Sequence, residues 1–521
     1  MACSHSHEGH YHLLITGIAA AFVAVMSFFL RYSGRRRLRW RGRGGFPPGP
    51  PGLPVIGNLL SMDQFTHRGL AKLAKVHGGF FHLPIGFANV FVVSSPETAR
   101  EILQEQAGVF SHRPVTAAMA YVSYDLADMA FARYGPFWRQ MRKLCVVKLF
   151  SRGRDQSWRT VRAEVDGLVR SLAEAGAVVV ANVGELAFKF ATNITLRAAF
   201  GARSQEDEAE FVAIIRELSQ TFLAFNVADF VPFVGFLDLN GINRRTRAAR
   251  HALDVFIDRI IDEHVARWKN GDVAAADMVD DMIAYLAETP GRDTRADGVE
   301  LKDLRLTREN IKGLIMDIMF GGTETVAATL EWSMVELLRS PGELERAQDE
   351  LAGVVGLDRK VDESDVEKLP YLRCICKEVL RLHPPLPLLH RESLQDCAVG
   401  GHAVPRNSRV WINIWAMGRD ERHWEDADAF RPSRFAGAGA GVGGDFWYLP
   451  FGHGRRSCPG MQLGTYAVEL GLANLLHCFR WSLPDGVAPS DLDVGDVFGL
   501  TAPRAQRLLA VPSPRLSCPL F

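Results

Sequence analysis

One cysteine of this chain lies in a loop rich in glycine and arginine, FGHGRRSCPG (451–460), directly before the apolar run MQLGTYAVELGLANLLHCF. A thiolate is a strong ligand for iron, and a helix that begins near Gly460 would favour the thiolate form of Cys458. Gly454 and Gly460 can adopt positive φ angles and let a flat ligand approach, and Arg456 can reach a carboxylate on that ligand. Taken alone, the loop fits equally well a small buried thiol in a tight turn.

A second candidate for chemistry is the segment TRENIKGLIMDIMFGGTETVAATLEWSMVELLRS, residues 307–340. Thr307 is a suitable N-cap and Pro341 ends the segment, which predicts one helix of about 50 Å. The paired glycines at its centre allow a kink, beside which a hydroxyl group can bond to the backbone. The adjacent acid and alcohol, Glu324 and Thr325, can deliver protons through water to a buried oxygen species. A packing notch beside a surface carboxylate is the alternative interpretation.

Two further motifs have the spacing of side chains that share one helix face. Glu378 and Arg381 lie three residues apart among apolar residues that indicate burial, and Arg434 in FRPSRF offers the further partner that a buried ion pair needs. Trp138 and Arg142 lie four residues apart in WRQMR. Taken alone, these motifs fit a surface ion pair and an amphipathic helix with a half-buried tryptophan.

Together the motifs resemble those of the cytochrome P-450 superfamily. The pattern F-x-x-G-x-R-x-C-x-G at 451–460 is similar to the haem-binding signature of that superfamily, and it implies that Cys458 is the axial ligand of the iron in haem b. The GGTET segment is similar to its oxygen-activation motif and implies catalytic roles for Glu324 and Thr325. Val326 departs from this motif, since a second hydroxyl residue often follows the threonine.

The same resemblance assigns two groups of residues to the support of the haem. The residues expected at the haem propionates are Trp138, Arg142, Arg391 and Arg456. The residues expected to form a structural triad beneath the haem are Glu378, Arg381 and Arg434. The order and spacing of the motifs extend the resemblance over the chain after residue 45, and they imply one haem-thiolate monooxygenase domain over residues 59–521.

Hydrophobic periodicity predicts a mainly α fold with a minor β region. Most of residues 137–350 has helical periodicity, FFHLPIGFANVFVVSS (80–95) is typical of a β-hairpin, and short strands are expected in CAVGGHAVP and SRVWINIW. Lys+Arg and Asp+Glu balance at 60 each, so no overall basic bias points to nucleic acid. Eight cysteines with no CxxC motif favour free thiols over a disulfide framework or a zinc site.

The N-terminal residues predict a membrane anchor. Residues 13–30 form an uncharged apolar run near the lower length limit for crossing a bilayer, and seven arginines follow within residues 31–43. The positive-inside rule then makes residues 1–30 a luminal tail and single transmembrane anchor, with the body on the cytosolic face of the endoplasmic reticulum. Residues 31–58 are expected to be a basic stop-transfer segment and proline-rich hinge. A cleaved signal peptide would carry its positive charges before the apolar run.

Several long stretches are similar to the plant ferulate/coniferaldehyde 5-hydroxylase subfamily of lignin biosynthesis, among them YDLADMAFARYGPFWRQMRKLC and MDIMFGGTETVAATLEW. This similarity implies ring 5-hydroxylation of ferulate, coniferaldehyde or coniferyl alcohol with dioxygen. The electrons would come from NADPH through a separate flavoprotein reductase, because the chain has no flavin or nicotinamide fingerprint. The substrate wall is expected within residues 115–131, 222–236 and 498–502.

Two other functions remain open from the sequence. A flavonoid B-ring hydroxylase is the near alternative within the superfamily. A haem-thiolate isomerase or dehydratase that uses no dioxygen is the more distant one, and the Glu324–Thr325 pair argues against it. His453 departs from the small residue expected in the haem loop, and its place near the haem predicts an effect on the iron more than on substrate choice.

Overall fold

The computed structural model describes residues 45–518, apart from 55, 152, 176–178, 202, 223–225, 232–237, 239–240, 272–276, 287–304 and 438–445. The predicted anchor, nearly all of the predicted basic segment and much of the expected substrate wall at 222–236 lie outside the described residues. Within them, no helix combines the length and the apolar character needed to cross a membrane.

Helices dominate the described chain, as the periodicity predicts. In chain order they are α1 His67–His77, α2 Pro96–Arg100, α3 Ala117–Val122, α4 Pro136–Leu144, α5 Asp155–Ala175, α6 Val183–Phe200, α7 Gln205–Phe222, α8 Ile242–Lys269, α9 Met278–Ile283, α10 Arg308–Arg339, α11 Pro341–Val355, α12 Glu363–Val366, α13 Pro370–Leu382, α14 Ile414–Met417 and α15 Met461–Cys478. Short 3-10 and π-helical turns connect several of them.

Strands form the minor part of the fold. In chain order they are β1 Phe80–Ile85, β2 Ala88–Val93, β3 Ala181–Asn182, β4 Leu388–Glu392, β5 Cys397–Val399, β6 His402–Val404, β7 Arg409–Asn413, β8 Phe479–Ser482 and β9 Leu509–Pro514. One sheet has the order β1-β2-β7-β4, in which β2 and β7 are parallel and the other pairs are antiparallel. A second sheet has the order β3-β9-β8, and β5 pairs with β6. The predicted hairpin at 80–95 and the later short strands are confirmed.

Helix α10 lies in the main hydrophobic core, where it packs against α6, α13 and α15. Its start is fixed by a capping box, because the Thr307 hydroxyl accepts from the Asn310 amide while the Asn310 side chain accepts from the Thr307 amide. Ser340 ends the helix and Pro341 opens α11, as the sequence predicts. The helix continues without a break through the paired glycines.

The two glycines of α10 have different surroundings. A Cβ atom added to Gly322 would lie 2.6 Å from Oγ1 of Thr195 on α6, so glycine permits the close approach of these helices. A Cβ atom on Gly321 would meet nothing within 4 Å, and Gly321 is exposed although most of its helix is buried. Gly321 therefore borders open space, and Gly322 sets the packing of α10 on α6.

The described part of the predicted hinge contacts the body of the protein. The His82 amide donates to the Pro48 carbonyl over 2.9 Å, and the Ala403 amide donates to the Gly45 carbonyl over 2.8 Å. A Cβ atom added to Gly49 would lie 1.9 Å from the carbonyl oxygen of His82. These contacts fasten the start of the described chain to β1 and β6, so it is not a free spacer there.

Candidate functional site

The cysteine loop is a tight turn that leads into α15. The Cys458 amide donates to the Phe451 carbonyl over 2.9 Å. Gly452 and Gly454 hold the turn with φ angles of 67° and 70°, which favour glycine. Gly460 was expected to supply a positive φ as well, but its φ is −89°, so Gly452 has that role instead. Helix α15 begins directly after Gly460, as predicted.

Cys458 is accessible although the protein surrounds it closely. The residue is exposed, yet the surrounding protein raises the pKa of its thiol by desolvation. The Gly460 amide and the guanidinium groups of Arg142 and Arg113 act in the opposite direction. Burial has the larger effect, so the helix end predicted to favour the thiolate does not lower the pKa below its ordinary value. A metal cation bound to the sulfur would supply the missing stabilisation.

Four buried or half-buried arginines lie near this loop. Burial has the largest effect and lowers the pKa of each guanidinium. Neighbouring arginines lower the pKa of Arg113, Arg391 and Arg456 further, whereas Asp128 and Asp317 raise the pKa of Arg113 and Arg456. The group consists of Arg113, Arg142, Arg391 and Arg456. The pKa values of Arg391 and Arg456 fall to about 9. A buried cluster of like charges is unfavourable until an anion binds beside it, so it suits a ligand that carries carboxylates.

Arg456 is held by backbone carbonyls. Its Nε donates to Ser111 O over 2.9 Å, and its terminal nitrogens donate to three carbonyls of segment 129–132 over 2.5–3.3 Å. The ring of Trp138 lies 4.5 Å from the guanidinium carbon, and Trp138 Nε1 donates to Met129 O over 3.0 Å. Arg456 is thereby fixed two residues from Cys458.

The other expected propionate residues lie at different distances from the cysteine loop. Arg142 contacts it directly, because its Nη2 donates to Oγ of Ser457 over 3.2 Å. Arg391 is buried on β4, where its Nη1 donates to the His390 carbonyl over 2.9 Å. Arg113 lies close to these arginines in the structure. Its surrounding sequence, SHRPV, contains no motif or spacing that relates Arg113 to Cys458. Sequence analysis therefore missed it.

Glu324 and Thr325 lie in α10 beside Gly321. Thr325 Oγ1 donates to the Gly321 carbonyl over 2.6 Å, one helical turn back. Oε2 of Glu324 accepts from the hydroxyl of Thr501 over 2.6 Å. Both residues are half-buried, so the acid and the alcohol lie next to the space that Gly321 borders. Thr501 falls in the predicted wall segment 498–502, but its bond to Glu324 has no counterpart in the sequence pattern.

The structure shows what surrounds Val326 and His453, the two residues that depart from the family pattern. Val326 is buried, and its Cγ2 lies 3.9 Å from the position that a Cβ atom on Gly464 would take, so it packs against α15. The His453 ring lies 4.7 Å from the ring of Phe446, and burial lowers its pKa.

The predicted triad forms one hydrogen-bonded network. Nε and Nη2 of Arg381 donate to the two carboxylate oxygens of Glu378, each over 2.7 Å, and Nε of Arg434 donates to Glu378 over 2.9 Å. Nη1 of Arg381 also donates to the carbonyls of Gly418 and Ala427. The Glu378 and Arg381 side chains have 0% exposed surface. The network supplies the extra partners that a buried ion pair needs, and the supporting role of the triad stays a prediction.

The first expected wall segment, 115–131, combines a short helix with an unusual turn. Helix α3 buries Met119 and Val122, and the chain then passes through three consecutive residues with positive φ, Tyr124 to Leu126. Tyr124 is held there by a 2.8 Å hydrogen bond from its hydroxyl to Asp254 on α8. Which residues of this segment meet the substrate stays a prediction.

The residues present fit a flat ligand that combines an iron with two carboxylates. Cys458 is accessible, four arginines lie near it, and Gly321 leaves room beside α10. These are the donors that haem requires: a sulfur for the iron and cations for the propionates. The mainly helical fold and this site together define a haem-thiolate enzyme.

Residues 47–509 match the family described as Cytochrome P450, and the chain belongs to that family of haem-thiolate monooxygenases. Cytochrome P450 84A1 of Arabidopsis thaliana is 55% identical over 509 residues, which cover 96% of this chain and 97% of that protein. Flavonoid 3'-monooxygenase CYP75B137 of Crocosmia x crocosmiiflora is 39% identical and covers 90% of this chain and 93% of its own length.

A solved structure of a zebra fish cytochrome P450 with abiraterone has the same fold. It superposes with a TM-score of 0.72 at 25% identity, and the match covers 86% of this chain and 99% of that one. Membership of the family makes haem the cofactor. It also makes dioxygen, a small-molecule substrate and an NADPH-dependent redox partner part of the reaction.

Proposed function

We propose that this enzyme hydroxylates methoxylated phenylpropanoids at ring position 5, with ferulate, coniferaldehyde and coniferyl alcohol as candidate substrates on the route to syringyl lignin. The observation that carries this proposal is the extent of the similarity to plant relatives. It covers nearly the whole chain at 55% identity in one case, and it includes the long stretches that resemble the 5-hydroxylase subfamily.

Cys458 is proposed to bind the haem iron through its sulfur, and Trp138, Arg142, Arg391 and Arg456 to hold the propionates. Bound haem supplies the activation of dioxygen and the oxidising power. The chain contributes the orientation of the aromatic ring and the exclusion of water. Glu324 and Thr325 contribute proton delivery, since both lie beside the space at Gly321 and each already has a hydrogen-bond partner that orients it.

We also propose where the enzyme is located in the cell. The apolar run at 13–30 and the arginines within 31–43 support a single anchor in the endoplasmic reticulum membrane with the enzyme body on the cytosolic face. A flavoprotein reductase on that face is the proposed electron donor.

The test is competitive turnover of the three phenylpropanoids by the full-length protein with an NADPH-dependent reductase. We expect a product with one added hydroxyl group at ring position 5, and NADPH consumption that depends on the substrate. Failure to hydroxylate any of the three would contradict the substrate class. Product formed without NADPH would instead favour the isomerase or dehydratase alternative.

A flavonoid B-ring hydroxylase is the second candidate, favoured by the similarity to a flavonoid 3'-monooxygenase over most of both chains. A flavanone added to the same assay separates the two functions. Preferential turnover of the flavanone over coniferaldehyde would replace the phenylpropanoid proposal.

A further inference from the structure

A short segment, residues 128–132, lies between helix α10 and the cysteine loop. Three residues on one face of α10 contact it and the residue before it. Nδ2 of Asn310 donates to the Ala127 carbonyl over 2.9 Å, and a Cβ atom on Gly313 would lie 3.0 Å from the backbone of Asp128. Asp317 accepts from the backbone amides of residues 129 and 130 over 2.9 and 3.0 Å. The i, i+3, i+7 spacing of these contacts aligns the segment along the helix.

The backbone amides and the backbone carbonyls of this segment form hydrogen bonds with different partners. The Asp128 carboxyl group accepts from the amides of residues 131 and 132, so two acids bind four consecutive amides. The carbonyls of residues 129, 130 and 132 accept from Arg456, and the first of them also accepts from Trp138. One segment therefore joins the helix that carries Glu324 and Thr325 to the arginine beside Cys458.

The two acids bind each other as well. Burial raises the pKa of both carboxyl groups, and the hydrogen bond between them raises the pKa of Asp128 and lowers that of Asp317. Two adjacent buried carboxyl groups do not readily ionise together, so the pair retains a proton at a pH where an isolated acid would have lost it. The guanidinium groups of Arg113 and Arg456 both interact with the two acids.

We propose that Asp317 is a positioning residue for the cysteine loop. It fixes segment 128–132 against α10, and that segment in turn fixes Arg456 next to Cys458. The placement of the oxygen-activating helix relative to the thiolate then depends on the carboxylate of Asp317. This inference concerns the haem site and not the substrate, and it rests on the proposed role of Cys458 as iron ligand.

The test compares Asp317→Ala with Asp128→Asn in the full-length haem-loaded protein. Two measurements are made: the fraction of the thiolate-type band in the reduced carbon monoxide spectrum, and the rate of haem transfer to an excess of apomyoglobin. Asp317→Ala leaves two amides without their acceptor and removes the nearby charge that acts on Arg113, so we expect haem transfer to accelerate about tenfold and the thiolate fraction to fall. Asp128→Asn keeps both a donor and an acceptor, so we expect it to stay within about twofold of the wild type.

Glu331 provides the matched control, because it is a fully buried acid on the same helix that binds Arg507 and the Leu508 amide instead. Glu331→Ala should lower thermal stability and leave the thiolate fraction unchanged. The inference is overturned if Asp317→Ala matches the wild type, or if Glu331→Ala loses the thiolate band equally.

If Asp317→Ala does not accumulate as folded protein, Asp317→Asn replaces it. That variant keeps one acceptor oxygen and loses the charge that faces Arg113, so we expect haem transfer about threefold faster than in the wild type. Wild-type rates in Asp317→Asn would then overturn the inference. A wild-type protein without a thiolate-type band would contradict the role of Cys458 instead.

Discussion

The hydroxyl of Thr501 donates a 2.6 Å hydrogen bond to Oε2 of Glu324, across 177 positions of the chain. Thr501 is buried near the C-terminal end of the fold, and Glu324 lies at the middle of α10. The partner of the acid here is a neutral hydroxyl. The bond therefore orients the Glu324 carboxyl group without pairing it with a cation.

Replacement of Thr501 by valine should weaken the coupling of NADPH use to product. The valine keeps the size of the side chain but removes the donor, and a bond to a charged group contributes about 1.5–3 kcal/mol, so we expect a fall of about tenfold in product per NADPH. Thr501→Ser should restore most of it. The measurement is product and peroxide per NADPH at several pH values, because a role in packing alone would leave the pH profile unchanged. Equal coupling in Thr501→Val and wild type would count against this role of Thr501.

Thr325→Ala should bind haem and substrate normally but release more peroxide. The hydroxyl donates to the Gly321 carbonyl within α10, and this side-chain bond is not part of the helix backbone, so its loss should leave the helix intact. Proton delivery by positioned groups contributes about 10²–10⁴-fold to rates. The check is peroxide released per NADPH, with Thr325→Ser as the control that retains the hydroxyl. An unchanged product yield in Thr325→Ala would contradict the proton-delivery role.

Cys458→Ser should lose the thiolate-type spectrum and all hydroxylation. An alcohol is a far weaker ligand and remains protonated, so the iron loses its sulfur donor while the loop keeps its shape. The reduced carbon monoxide spectrum is the measurement, and Cys478→Ser, at a buried thiol on α15, is the control. A thiolate-type band that persists in Cys458→Ser would show that another residue holds the iron.

Local signals in the sequence account for much of the fold. Thr307 and Pro341 mark the two ends of α10, and Gly460 marks the start of α15. The alternation of apolar and polar residues marks the hairpin at 80–95. These signals are readable in the sequence because each acts over only a few residues. The Glu378–Arg381 pair was predictable for the same reason, since its two members are neighbours on one helix face.

The contacts between distant segments could not be predicted in this way. Asp317 meets segment 129–130 from 187 positions away, and no spacing within either segment encodes that contact. The Glu324–Thr501 bond is of the same kind. The pKa of Cys458 also depends on the whole protein, because desolvation by the surrounding fold outweighs the local effect of the helix end that the sequence suggests.

The stability of the protein should depend on pH through Asp317. Burial raises the pKa of this carboxyl group to about 6 from its ordinary value of 3.8, and the ionisable groups that act on it include Asp128, Arg113 and Arg456. An acid with a raised folded-state pKa contributes stability that is present at low pH and lost as the pH rises through about 6. A shift of this size corresponds to about 3 kcal/mol at most.

Asp317→Asn removes this titration, so the difference in unfolding free energy between wild type and variant should decrease from pH 4.5 to pH 7 and then stay constant. Urea unfolding of the two proteins across that range is the measurement. A difference that is constant or increases with pH would contradict the raised pKa of Asp317.

Asn193 should carry no glycan, although Asn193-Ile194-Thr195 matches the acceptor pattern. The residue lies within α6, its side-chain amide donates to Oε2 of Glu164 over 3.0 Å, and the two residues after it are buried. A sugar at this position would break that bond and force a packed helix face apart.

The measurement is the mobility of the full-length protein from yeast or plant membranes before and after glycosidase treatment, with Asn193→Gln as the control. A glycosidase-sensitive shift that disappears in Asn193→Gln would contradict both the packing of α6 and the proposed cytosolic orientation. The proposed partnership with a cytosolic reductase would then fail as well, since donor and acceptor would lie on opposite sides of the membrane.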